Sequence, residues 1–183
     1  MHFLVGNNGA TEAMTILNDG KIGIGTVSPS SVLNLTKTSI GATQSDAYGL
    51  FLVNTTAAAV DAQQYSPPLC WRGFGWKTDA TAASQSVDFR SFVRPIQGAA
   101  TPTGGLDFQS SINGAAYSNL VTILSNGNVG IGTTAPIVKF TISESALTTL
   151  QALIENTLAS GRAIFEVMGD SAFFDMRAHG TTY

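Results

Sequence analysis

The sequence predicts an all-β chain in which repeated short β-hairpin stem units flank a β-sandwich-like domain. Three observations predict it. The stretch Gly20-Lys-Ile-Gly-Ile-Gly-Thr-Val-Ser-Pro29 returns as Gly127-Asn-Val-Gly-Ile-Gly-Thr-Thr-Ala-Pro136, a constant offset of 107 residues. Between Met14 and Pro29 nine of sixteen positions are identical at that offset, with no gap. A long internal repeat of this kind signals units that stack on neighbours. Each copy also reads as strand, tight turn, strand. Elsewhere, apolar alternation recurs about every ten residues between turn signals, the pattern of an all-β domain.

Residues 1–13 read as the end of a preceding β segment, because Phe3 to Ala10 matches Phe108 to Ala115 if two residues are gapped before Met14. The chain thus opens inside a repeat, and we expect a window of a longer polypeptide with Met1 not its biological start. A short natural protein with unequal ends is the other reading.

Residues 14–40 form the first stem repeat. Thr15-Ile-Leu17 leads into Asn18-Asp-Gly20, which supplies the positive φ values of a two-residue hairpin turn. In the next strand Ile22 and Ile24 share one face, while Gly23 and Gly25 occupy the other. Glycine weakens a strand, so its double use points to another backbone passing close by. Thr26-x-x-Pro29 ends the strand, and Leu33 and Leu35 alternate in a third. Such a unit is too small to bury a core alone.

Residues 41–120 form the β domain between repeats. Leu50–Val53 reads as a short apolar strand, and Ala57–Ala62 as a possible helical turn without sustained period. Ser66-Pro-Pro68 stops regular structure, since two prolines remove two donors. Leu69–Trp76 is an aromatic strand whose two glycines read as a bulge or twist. Thr78–Ser86 reads as a loop. Val87–Arg94 then places Val87, Phe89 and Val93 on one face and Asp88, Arg90 and Arg94 on the other, with Phe92 breaking the pattern. Thr101–Gly105 is a loop, and strands follow at Leu106 and at Leu120–Leu124.

Residues 121–143 repeat the stem, with Val129, Gly130, Ile131 and Gly132 in the places of Ile22 to Gly25 and Phe140 and Ile142 in those of Leu33 and Leu35. Residues 144–183 begin a second β domain. Positions 147, 150, 153 and 154 have helical spacing, but Leu153–Thr157 echoes Phe51–Thr55 and favours a strand. Arg162–Met168 and Ala172–Arg177 read as a hairpin.

The pattern N-G-x-V-G-I-G-T-x-x-P followed by an apolar strand resembles a repeat of bacteriophage tail fibres and related virion appendages, and the stretch from Gly49 to Gly114 resembles the segment between such repeats. The likeness covers most of residues 14–143. It implies an intertwined homotrimeric fibre with a structural or host-recognition role, working in the virion outside the cell, beside other virion proteins and against a host-surface glycan or protein. No catalytic residues come with it. A self-cleaving C-terminal chaperone, common in such fibres, is not visible here. Ile22, Gly23, Ile24 and Gly25, with Val129, Gly130, Ile131 and Gly132, would lie at the assembly axis.

Composition fits. Charged residues make up 11% against about 25% in ordinary globular proteins, and the net charge is −3. Lys and Arg are scattered, so no nucleic-acid partner is expected. No apolar run approaches the ~18 residues of a membrane helix, and no signal peptide opens the chain, so neither membrane insertion nor an encoded secretory route is expected. The single Cys70 permits no intrachain disulfide and reads as a small buried hydrophobe.

Site candidates are few. Tyr65, Trp71, Phe74 and Trp76 form the densest aromatic cluster; such faces bind sugar rings or partners, although a β core is the simpler reading. Tyr65, Trp71, Arg72, Trp76, Arg90 and Arg94 are the receptor-contact candidates. Asp88, Arg90 and Arg94 read more simply as a solvated strand face. No enzyme is expected: His2 and His179 lie at opposite ends, no G-x-S-x-G occurs, and nothing has metal-ligand or cofactor-motif spacing. A polysaccharide-degrading tailspike would need two carboxylates about 5–10 Å apart, and Asp88, Asp107, Glu155, Glu166 and Asp175 include no marked pair. A non-viral bacterial adhesin or filament is the third reading.

Overall fold

The computed structural model describes residues 2–5, 11–37 and 49–143, and none of these is helical. The chain divides into two units, Met1–Ile142 and Ser143–Tyr183. The expected helix-or-strand at 145–158 and the hairpin at 162–177 lie outside the described residues. The first unit is all-β. A four-stranded sheet runs in chain order through β1 (His2–Val5), β2 (Thr11–Ile16), β3 (Ile22–Ile24) and β4 (Leu33–Leu35). A six-stranded sheet holds β5 (Leu69–Lys77), β6 (Ala83–Ile96), β7 (Thr103–Ile112), β8 (Ser118–Leu124), β9 (Val129–Ile131) and β10 (Phe140–Ile142), again in sequential order.

The sequence offset of 107 is also a structural one. Thr15 pairs with Gly23 and Gly23 with Asn34; Thr122 pairs with Gly130 and Gly130 with Thr141. In both copies the first pairing is antiparallel and the second parallel. Both turns are three-residue loops rather than the expected two-residue ones. Leu17 N donates to Lys21 O and Gly20 N to Leu17 O, while Leu124 N donates to Asn128 O and Gly127 N to Leu124 O. Only the glycine of each loop is left-handed, with φ 84° at Gly20 and 82° at Gly127. This is a type I turn closed by a glycine bulge.

At Gly23 and Gly130 the close approach is made by the chain's own turn, and at Gly25 by the Thr36 backbone. A Cβ added to Gly130 would sit 2.6 Å from the Thr133 carbonyl and 3.3 Å from Pro136 Cδ, and one on Gly23 would meet Thr26 and Pro29. The Thr-x-x-Pro turn therefore folds back over the glycine face, burying Thr15, Gly23 and Pro29 in one copy and Thr122, Gly130 and Pro136 in the other. Gly25 and Gly132 are left-handed, at φ 72° and 73°. Within the chain, Gly23, Gly25 and Gly130 thus accommodate backbone from the same copy. The side left open is that of Ile24 and Ile131; Ile22 and Val129 are half-buried. Gly130→Ala is expected to lower stability by about 1–3 kcal/mol through overpacking. An unchanged thermal midpoint would show that the turn yields freely.

Several local expectations are corrected. Leu50–Val53 forms no strand. Ala57–Ala62 is not a helical turn, because Ala59 and Ala62 bridge antiparallel about Asp61 at φ 58°. The loop expected at 78–86 is partly strand, with β6 starting at Ala83, and the one at 101–105 gives way to β7 at Thr103. β5 pairs with β6 from Leu69 to Lys77 with no shift in register, so Gly73 and Gly75 mark no bulge. Trp71 and Trp76 lie on opposite faces simply because they are five residues apart.

The six-stranded sheet has its polarity reversed. One face carries Asp88, Arg90, Phe92 and Arg94 from β6 with Asp107, Gln109 and Ser111 from β7. Asp88, Phe92, Asp107 and Ser111 are buried. The other face carries Leu69, Trp71, Val87, Phe89, Val93, Leu106, Phe108, Val121, Ile123, Ile131 and Phe140. On that face Trp71, Phe89, Ile131 and Phe140 remain between 40% and 59% exposed. Phe92 is the sole buried hydrophobic residue among the described ones. Among the described residues no second layer closes the apolar face as a sandwich would, and the aromatic cluster and Cys70 are exposed rather than buried.

Candidate functional site

The polar face is where side chains converge. It is covered by the segment ending in Ser66-Pro67-Pro68. Ser66 takes up the β6 edge where the two prolines cannot: its N–H donates to Val93 O at 3.1 Å, and its hydroxyl accepts from Val93 N at 2.9 Å. Asn54 Nδ2 donates to Tyr65 O at 3.0 Å and fixes the approach. The Tyr65 ring thereby stacks on Phe92, with centroids 5.7 Å apart and planes at 18°. The residue that breaks the alternation of β6 does so because it meets this aromatic cover.

A cleft of about 390 Å³ opens beside the stacked rings, lined by Tyr65, Ser66, Arg90, Arg94, Asp107 and Gln109, with Thr134 among its other walls. Arg94 donates from Nε to Asp107 Oδ2 at 2.5 Å and from Nη2 to Asp107 Oδ1 at 3.2 Å. Nη2 also reaches the Thr134 carbonyl at 3.2 Å. Thr122 Oγ1 donates to Asp107 Oδ1 at 2.8 Å. The opposing Gly105 leaves room for this: a Cβ there would lie 3.2 Å from Arg94 Nη2. Three strands and the second Thr-x-x-Pro turn are tied together at one carboxylate, whose bonds raise the pKa of the Arg94 guanidinium.

Arg90 differs. Its Nε and Nη2 donate to the neutral Gln109 Oε1 at 2.9 and 2.6 Å. Its guanidinium carbon lies 3.8 Å from the centroid of Tyr117 and 5.2 Å from that of Phe92. Among the described residues it has no carboxylate partner, whereas Arg72 and Arg94 each have one.

Arg72 forms a bidentate pair with Asp88, both bonds 2.7 Å. Those bonds hold the buried Asp88 carboxyl below its ordinary value of 3.8. The pair's contribution is complete above that value and is lost as pH falls through the lower folded value, because the unfolded chain takes the proton first. Unfolding midpoints are expected to fall between about pH 5 and about pH 2, and less so in Asp88→Asn. Equal losses in both proteins would show that the pair is not linked to stability.

Of the six receptor-contact candidates, Tyr65, Arg90 and Arg94 meet at the cleft. Arg72 lies next to it on the same face, paired to Asp88. Trp71 belongs to the apolar face, and Trp76 stands exposed near the end of β5. Sequence reasoning missed Gln109, Tyr117 and Thr134. Only Phe92, by interrupting its strand's alternation, carried a signal. The solvated strand face expected for Asp88, Arg90 and Arg94 is corrected: Asp88 is buried beneath Arg72 and Asp107 beneath Arg94, while Tyr65 covers Phe92 between them. Asp88 and Asp107, two of the acids weighed for hydrolysis, are each held by an arginine. No group that could hold a metal ion occurs among the described residues. No family model matches the sequence, and no curated protein matches it.

Proposed function

We propose that the chain is a structural segment of a phage tail fibre or similar virion appendage. In this reading it assembles as a homotrimer and takes part in host-surface recognition, without enzymatic activity. The observation that carries the proposal is the open apolar face. Five strand spacings of about 4.8 Å and strands of three to fourteen residues give on the order of 500 Å² of flat apolar sheet. The largest apolar patch of a typical monomer is about 300–600 Å² and often functional, so a flat sheet face of this size reads as an interaction surface. A chain with one buried hydrophobic residue among those described gains its core by association, and a second and third copy of the same face supply it. The GIGTxxP resemblance supports the number three and the fibre setting. The stem reading is supported by the identical register of the two copies. The polar face with its cleft then stays outward, where a receptor would meet it.

The deciding measurement is the native mass by light scattering, with electron microscopy of the same sample. An elongated particle of three chains is the expected result. A dilute monomer with full thermal stability would overturn the proposal.

A further inference from the structure

We propose that the cleft between the Tyr65–Phe92 stack and Arg90 binds a carboxylate-bearing sugar, such as a uronic acid unit of an acidic surface polysaccharide. The proposal deepens the recognition reading above and rests on it. Its first ground is charge. Arg94 and Asp107 neutralise each other, so Arg90 leaves the cleft with one uncompensated positive charge in a chain of net charge −3. One side of the Arg90 fork is held by Gln109, and Nη1 makes no hydrogen bond among the described residues. Tyr117 and Phe92 fix the guanidinium plane. A pre-oriented guanidinium edge with two N–H groups matches a carboxylate.

The second ground is shape. Tyr65 spends one ring face on Phe92 and remains about half exposed, a platform of the kind on which the C–H face of a sugar ring packs. Gln109 also lines the cleft, and its side-chain nitrogen makes no hydrogen bond among the described residues, which leaves it for a sugar hydroxyl. A volume of about 390 Å³ lies within the ordinary range of small-ligand clefts and suits one or two sugar units. An anion alone would use Arg90 but not the rings; a neutral sugar would use the rings but not Arg90. The combination selects the acid sugar.

The test uses the full chain and three probes: methyl glucuronide, methyl glucoside and inorganic phosphate. Binding is followed through the ring resonances of Tyr65 and the Nε–H of Arg90. The glucuronide is expected to bind with a Kd on the order of 1 mM. Methyl glucoside and phosphate should each bind about tenfold more weakly. Arg90→Gln should remove the preference for glucuronide over glucoside, and Tyr65→Ala should weaken glucuronide while leaving phosphate unchanged. Equal binding of glucuronide and glucoside, or of phosphate and glucuronide, would overturn the proposal, as would glucuronide binding that survives Arg90→Gln. Light scattering on the same samples separates the two readings. A trimer that ignores glucuronide refutes the cleft alone, whereas a stable monomer refutes the assembly.

Discussion

Phe108→Asp is expected to reduce the assembled particle to single chains. Phe108 lies on β7 near the middle of the apolar face, flanked by Ser91 on β6 and Val121 on β8. In an isolated chain Phe108 is 36% exposed, so the substitution gives up part of a covered ring and should cost on the order of 1–2 kcal/mol. In an assembly closed over that face it buries an unpaired carboxylate in every copy. Even an uncharged polar group stranded this way costs roughly 2–7 kcal/mol. The same substitution at Trp76, exposed on the other face of the sheet, serves as control and should leave the mass unchanged. Sedimentation of the three proteins decides the matter. A Phe108→Asp variant with the wild-type mass would mean that this face is not where copies meet.

The second large effect is expected at Asp107. It is 1% exposed and accepts from Arg94 and Thr122. Asp107→Ala leaves the mostly buried Arg94 charge unanswered and the Thr122 hydroxyl without this acceptor. Breaking a buried pair from one side costs about 3–5 kcal/mol. Asp107→Ala combined with Arg94→Met should recover much of the loss, since a well-packed apolar pair is often no worse than a buried ion pair. Denaturant unfolding of the single and double variants forms a cycle that isolates the coupling. Additive losses would show that Arg94 and Asp107 stabilise the sheet independently.

The repeat was legible because nine identities at fixed offset leave one alignment, and one alignment fixes one register. The strands were legible from alternation, β6 most clearly. Which face of each strand is covered was not. Alternation separates Val87, Phe89 and Val93 from Asp88, Arg90 and Arg94, but burial depends on what lies above each set. Among the described residues the cover comes from Tyr65 on Phe92 and from the paired arginines, and it falls on the polar set. Cys70 and the tryptophans were misread for the same reason: an apolar residue type implies burial only where something covers it. The glycines were rightly read as places of close approach, yet at Gly23 and Gly130 the approaching backbone came from three residues downstream, a distance at which a turn and a neighbouring copy look alike in sequence. At the cleft, Arg90 was named without Gln109, because their meeting depends on the register between β6 and β7.

The strictly sequential strand order has a kinetic consequence. Every strand in each sheet pairs with the one before it in the chain, so the pairings close short loops and can form quickly. In the proposed assembly the hydrophobic reward comes later, when copies collide. Refolding should therefore show an early β-sheet signal whose rate ignores protein concentration, followed by a step that accelerates with it. Between the two, β5 presents an unpaired nine-residue edge bearing Trp71, Phe74 and Trp76, and strand edges of that length invite wrong partners. Yield on refolding is then a race between correct encounter and edge-to-edge pairing, and it should pass through a maximum as the protein is concentrated.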